Sequence, residues 1–85
     1  MSDFDQRCQE LLDFIVETLL DDPDAAPAFG DSLFKSQLLD SLALTMLVAH
    51  VEESYQIKVK PMDIVYENFD SIENMSNYIG SRASE

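Results

Sequence analysis

Apolar residues at Phe4, Cys8, Leu11, Leu12, Ile15, Val16, Leu19 and Leu20 recur at i, i+4, i+7, i+8, i+11, i+12, i+15 and i+16. That spacing predicts one amphipathic helix of four turns or more. Asp3 is placed to cap its start, and Asp21-Asp22-Pro23 to stop it. Residues 21–37 then hold two of the three prolines and one of the two glycines, which predicts a long connecting loop. Leu33 and Phe34 are its expected hydrophobic anchors. Loops of this length are uncommon in compact domains and are often functional.

A second helix is expected from Ser41 to about residue 54, and it carries two apolar stripes. Leu44, Leu47, Val48, Val51 and Tyr55 follow i, i+3, i+4, i+7 and i+11, while Leu42, Met46 and Ala49 follow i, i+4 and i+7. At about 100° per residue the two sets lie on nearly opposite sides. The larger set is assigned to the core. The smaller one then faces either solvent or a partner, unless this is a central helix buried on all sides. Gln56-Ile57-Lys58-Val59 has no partner strand and reads as a loop that buries Ile57 and Val59. Pro61 suits the first position of a short third helix, Pro61 to about Tyr66. Phe69 is expected to plug the core, and Asp70 or Ser71 to cap a last helix with Ile72, Met75, Tyr78 and Ile79 on its inner face. Gly80 is its expected terminator, and Ser81–Glu85 a frayed tail. The expected fold is all-α: a four-helix bundle with a long first loop and a short third helix, in one domain spanning 1–85 with its core in about 4–80.

Length fits that picture, since 85 residues suffice for one domain and not for two. A chain of this size buries roughly 60–65% of its unfolded surface, so it has little material left for a walled catalytic pocket. Charge narrows the partners. The formal net charge of −12, from 17 acidic and 5 basic residues, repels nucleic acid and anionic membrane and favours basic protein surfaces. Cys8 is the single cysteine, which excludes an internal disulfide and a cysteine-based zinc site. It lies on the apolar stripe and is expected to be a buried, inert thiol. Met1-Ser2-Asp3-Phe4-Asp5 is acidic where a signal peptide needs a basic region, and no apolar run reaches about 18 residues. A cytoplasmic monomer is expected.

The candidate chemistry centres on Asp40-Ser41-Leu42, at the junction between the long loop and the second helix. A serine there is ordinarily a cap. In this chain the motif, with Leu38-Leu39 before it, Val51-Glu52-Glu53-Ser54-Tyr55, Ile57-Lys58-Val59 and Glu67-Asn68-Phe69-Asp70-Ser71-Ile72, resembles the acyl carrier protein family over most of residues 30–80. The first helix matches by pattern only. The resemblance implies an acyl carrier protein-like helical bundle in which Ser41 receives 4′-phosphopantetheine from coenzyme A, by the action of a separate Mg²⁺-dependent phosphopantetheinyl transferase. It implies that an acyl or aminoacyl group is then held as a thioester on the arm. It also implies further partners: a loading ligase or adenylating enzyme, and synthase or tailoring enzymes with basic surfaces. On this reading the chain is a substrate of enzymes and itself no enzyme. Asp40 caps the helix and is available to the transferase, and Leu42, Met46 and Ala49 dock partners with charge from Glu52 and Glu53. Carriers of the fatty-acid type often place acids two and five positions after the modified serine, where this chain has Ala43 and Met46. That difference brings it closer to stand-alone carriers of specialised metabolism, including free-standing peptidyl carriers. The competing expectation is an unmodified acidic adaptor that grips a partner helix with the Leu42/Met46/Ala49 stripe.

Three other patterns fail. Gly30-Asp31-Ser32-Leu33 spells a serine-esterase signature, but the only histidine, His50, has no carboxylate at a spacing that suggests a triad. Ser32 also opens no long helix, and is expected to cap a turn. A calcium loop begun at Asp22 would need glycine where Pro27 stands and a bidentate acid where Leu33 stands. His50 lacks companions for a metal and is expected on the helix surface. No metal site is expected.

Overall fold

The computed structural model describes residues 3–83. They form helix α1 (Asp3–Phe14), which continues without a break as a π-helix (Ile15–Leu20), then α2 (Ser41–Tyr55), α3 (Tyr66–Phe69) and α4 (Ile72–Ala83), with single 3₁₀ turns at Pro23–Ala25 and Pro61–Asp63. No strand occurs among the described residues. α1 packs against α4, α3 leads into α4, and α2 closes the bundle.

The first apolar stripe holds as far as Ile15. Cys8, Leu11 and Ile15 are fully buried, whereas Leu19 and Leu20 are only half-buried at the margin. The reason is the change to i→i+5 hydrogen bonding after Phe14, which ends the 3.6-residue register. Asp21 then stops the helix in the left-handed region at φ 52°. Burial pushes the Cys8 thiol up, with smaller opposing and reinforcing contributions from the Ser76 hydrogen bond and nearby charges.

Phe69, Ile72, Met75 and Ile79 fill the core from the other side, and Leu33, Phe34 and Val59 are buried with them. The loop anchors are therefore where their hydrophobicity required them. The third helix differs from expectation. Pro61 opens a 3₁₀ turn that ends at Asp63, and the α-helical turn proper is Tyr66–Phe69. Ile64 and Val65, both β-branched, occupy the extended link between the two. Asp63 fixes that link: its carbonyl accepts from Asn68 Nδ2 at 2.8 Å and its carboxylate from the Tyr78 hydroxyl at 2.8 Å. Burial, with Asp63 as the acceptor, pushes the Tyr78 phenol up to about 12.

Gly80 does not terminate α4. The helix runs through it to Ala83 with no positive φ at either glycine, so the expected frayed tail is helical over 81–83; residues 84 and 85 lie outside the described residues. Arg7 packs close over the glycine: a Cβ there would stand 2.7 Å from Arg7 Nη2, so the guanidinium would have to shift. Arg7 crosses at that point to bind α4, with Nε donating to the Ser76 carbonyl at 3.1 Å and to Ser76 Oγ at 3.2 Å. Ser76 Oγ in turn donates to the Phe4 carbonyl at 2.9 Å, which satisfies a hydroxyl buried in the α1–α4 interface.

Candidate functional site

Asp40, Ser41 and Leu42 are three consecutive exposed residues, held between Leu39, 6% exposed, and Ala43, 7% exposed. Each neighbour is tied down by backbone as well as by burial. The Leu39 amide donates to the Leu33 carbonyl at 2.8 Å. Asp40 takes an extended conformation, and its Oδ1 accepts from the Ala43 amide at 2.9 Å. Asp40 is thus the N-cap of α2 and Ser41 its first helical residue. The Leu44 amide closes the first helical bond on the Asp40 carbonyl at 3.0 Å. Amides of a first turn have no acceptor within the helix, so beside Ser41 the backbone of α2 presents N–H groups and the positive end of its dipole.

The two faces of α2 separate as its periodicity requires. Leu47 and Val51 are fully buried, and Leu44, Val48 and Tyr55 pack half-buried against the core. Ala43 joins the buried face, a position too small to register in the apolar pattern. On the opposite side Leu42 is 68% exposed and Met46 38%, with Ala49 and Glu53 exposed in line beyond them. Glu52 is not part of that line. Its Oε2 accepts from the Val59 amide at 2.9 Å and holds the loop after α2.

Apolar surface is also exposed outside this stripe. Met62, Ile64, Val65 and Tyr66 are all exposed, and Ile64, Val65 and Tyr66 line, with Leu44, an open hollow of about 340 Å³. The signal was present as a nearly unbroken apolar run, but the assignment of those residues to a helix concealed it. Tyr66 also stacks on Phe34, ring centroids 5.7 Å apart, which joins the segment to the loop that precedes Ser41.

No histidine stands near Ser41, and the adjacent carboxylate, Asp40, is engaged through Oδ1 with the Ala43 amide. His50 is nine residues further along α2, about 13 Å at the helical rise. Its ring stacks on Phe14 at 3.8 Å between centroids, against α1. Burial lowers the His50 pKa, and Glu53 and Glu10 oppose the shift. The Tyr55 hydroxyl donates to Glu10 Oε1 at 2.8 Å, and burial together with that carboxylate raises its pKa. The side chains of the Gly30-Asp31-Ser32-Leu33 segment bond within the fold: Ser32 Oγ donates to Asp70 Oδ1 at 3.0 Å, and Asp31 Oδ2 accepts from the Ala28 amide at 2.9 Å. Asp22 likewise caps its 3₁₀ turn through the Asp24 amide at 3.0 Å. Among the described residues no group of three or more histidine, cysteine or acidic side chains is arranged to hold a metal ion, and no helix is long and apolar enough to cross a membrane.

The family model described as "Phosphopantetheine attachment site" matches residues 10–79. That stretch runs from the middle of α1 almost to the end of α4 and includes the whole loop–α2 junction. No curated protein and no solved structure matches the chain.

Proposed function

The chain belongs to the phosphopantetheine-attachment family, that of the acyl and peptidyl carrier proteins, and we propose that Ser41 is the residue that bears the 4′-phosphopantetheine of this carrier. The observation that carries this reading is the exposed Asp40-Ser41-Leu42 triplet at the start of the longest α-helix, fixed on both sides by buried residues. The residues present suit the group. A phosphodiester on Ser41 Oγ would lie at a helix N-terminus, where unbonded N–H groups and the dipole favour an anion. The group supplies a terminal thiol on a flexible arm, which holds an acyl or aminoacyl cargo as a thioester.

Everything else this chain does is presentation. Transfer forms a bond from Ser41 Oγ to the phosphorus of the pantetheine phosphate and breaks the pyrophosphate bond of coenzyme A, so that adenosine 3′,5′-bisphosphate leaves, and the hydroxyl proton passes to a base of the separate phosphopantetheinyl transferase. Asp40 holds the first turn by its bond to the Ala43 amide and leaves its second oxygen toward solvent. Leu42, Met46 and Ala49 form the docking face, with Glu53 at its far end and Glu52 acting indirectly by holding the loop after α2. Partners are a loading ligase or adenylating enzyme and the synthase or tailoring enzymes that use the cargo. A net charge of −12 favours basic rims on all of them. Met46, in place of an acid, makes the contact more apolar and fits a carrier of polyketide- or peptide-type specialised metabolism, while Ala43 is buried and takes no part in it.

The test is incubation with coenzyme A, Mg²⁺ and a broad-specificity phosphopantetheinyl transferase, read by intact mass. The chain is expected to gain one phosphopantetheinyl group, Ser41→Ala to gain none and Ser32→Ala to gain one. A wild-type chain that stays unmodified, or a Ser41→Ala chain that is modified, refutes the assignment.

A further inference from the structure

Asp70 lies between α3 and α4, far from Ser41 in sequence, and its carboxylate serves neither helix. Ser71 caps α4, its Oγ accepting from the Asn74 amide at 3.0 Å. Asp70 instead faces the long loop. Its Oδ1 accepts three hydrogen bonds, from the Phe34 amide at 2.9 Å, the Ser32 hydroxyl at 3.0 Å and the Lys35 amide at 3.1 Å. Its carbonyl accepts a fourth, from the Leu33 amide at 2.6 Å. One residue thus fixes four consecutive loop residues, and a second tie from the Glu73 amide to the Phe29 carbonyl, 3.0 Å, holds the loop just upstream.

From that clamp the bonding continues toward α2. Gln37 turns the chain back at φ 66°, with its amide on the Phe34 carbonyl at 3.0 Å. The turn brings the Leu39 amide onto the Leu33 carbonyl at 2.8 Å, and the next residue is Asp40, the cap of α2. A turn with a non-glycine residue in the left-handed region persists only where its surroundings hold it. Here Leu33, Phe34 and Leu39 are buried beneath it and Asp70 grips its backbone. Partial burial pushes the Asp70 carboxyl up, but the bonds from Phe34, Ser32 and Lys35 and the Lys35 charge outweigh it and leave the group below its ordinary pKa.

We propose that Asp70 is a positioning residue for the modification of Ser41: by clamping residues 32–35 and, through Leu33, the Leu39 amide, it sets the backbone on which the Ser41 hydroxyl is presented. The inference rests on Ser41 being the attachment residue. Asp70 touches neither Ser41 nor the docking face, so its removal acts on the reaction of the bound carrier and not on its capture. Misplacement of a reacting group by about an ångström costs rate steeply, of the order of a hundredfold.

The experiment uses the full chain, coenzyme A, Mg²⁺ and a phosphopantetheinyl transferase, with kcat and KM measured for wild type, Asp70→Ala, Asp70→Asn and Ser32→Ala, and amide hydrogen exchange followed at Leu39. Asp70→Ala is expected to lower kcat by about tenfold or more with KM unchanged, and to speed exchange at Leu39 while Leu47 and Val51 stay protected. Asp70→Asn, which keeps an oxygen acceptor, restores most of kcat, and Ser32→Ala shows a smaller loss in the same direction. A folded Asp70→Ala chain with wild-type kcat and wild-type exchange at Leu39 overturns the proposal. If Asp70→Ala does not fold, Ser32→Ala decides: unchanged kcat and exchange overturn it, and losses in both support it. A wild-type chain that is not modified on Ser41 refutes the attachment reading instead, and the Leu39 exchange still reports whether the clamp exists.

Discussion

Asp40→Ala removes one acceptor, Oδ1, from the Ala43 amide at 2.9 Å and leaves the Leu44-to-Asp40 backbone bond of 3.0 Å in place. The loss is therefore that of a single N-cap, about 1 kcal/mol within a range of 0.5–2. At about 2.1 cal/mol/K per residue, a domain of this length has an unfolding entropy near 180 cal/mol/K, so 1 kcal/mol lowers Tm by about 5–6 °C. Asp40→Asn keeps an oxygen at the same distance and forfeits only the attraction of the charge to the helix dipole, about 0.3–1 kcal/mol. Both substitutions also relieve the self-repulsion of a chain carrying −12, by the same amount. The difference between the two variants cancels that common contribution and isolates the hydrogen bond. Thermal and urea unfolding of the three proteins measure it, at low salt and at about 1 M, where the Debye length of roughly 3 Å removes most of the charge effect. The Asn-to-Ala difference is expected to survive the salt. If the variants are equally destabilised, or the difference vanishes with salt, Asp40 is not acting as a cap. A folded Asp40→Asn chain that accepts the prosthetic group poorly would then identify its free oxygen as something the transferase reads.

Phe69→Ala empties the centre of the core, since the ring is fully buried and tilts against Tyr78 at 5.7 Å. The expected cost is about 3–5 kcal/mol, a large share of the roughly 4–13 kcal/mol that a chain of this length possesses; a urea midpoint shifted by less than about 1 kcal/mol equivalent contradicts the packing described. His50 is the only histidine, so the pH range just below its ordinary value of 6.5 belongs to it. Its folded pKa is lowered, so below pH 6.5 the unfolded chain takes up a proton that the folded one does not, and stability falls as pH falls until the folded pKa is passed. Urea midpoints taken downward from pH 7 should decline in wild type and stay flat over that range in His50→Gln; equal slopes refute the assignment.

What could be read from the sequence was periodic and local. The buried Cys8, Leu11 and Ile15, the two faces of α2, the anchors Leu33 and Phe34 and the plug at Phe69 all follow from hydrophobic spacing within a few turns. What could not be read depends on partners far away along the chain. Gly80 looked like a helix terminator because that rule is local, yet α4 runs through it, and the guanidinium lying against it belongs to an arginine 73 positions earlier. Pro61 did open a helical turn, but Ile64 and Val65 disfavour continuing it, so the α-helical turn waits until Tyr66. Glu52 had the composition of a docking acid, and its bond from the Val59 amide, seven residues on, could not be read from composition. Asp70 was legible only as a candidate cap of α4, a role that Ser71 takes, and nothing marked its hold on the loop. Its donors are two backbone amides and a hydroxyl from a loop more than thirty residues upstream, and backbone amides leave no mark in a sequence.

That contrast bears on how a chain with so small a core can hold an exposed hydroxyl at a fixed point. On the proposed reading Ser41 has to project into solvent to be modified, and an exposed side chain cannot be positioned by its own packing. Its position must come from neighbours. Two residues away on each side, Leu39 and Ala43 are buried, and between them only backbone geometry is left to set the direction of Ser41. Burial alone would still allow the loop to slide, since Leu33, Phe34 and Leu39 are apolar and hydrophobic attraction has no direction. Hydrogen bonds supply what burial lacks. The Asp70 carboxylate, the Leu33–Leu39 bond and the Asp40 cap are spaced along the segment so that it keeps its register without lengthening a helix or enlarging the core. The acidic composition permits this arrangement, because a carboxylate gathering several N–H donors keeps its charge without a cationic partner at each bond.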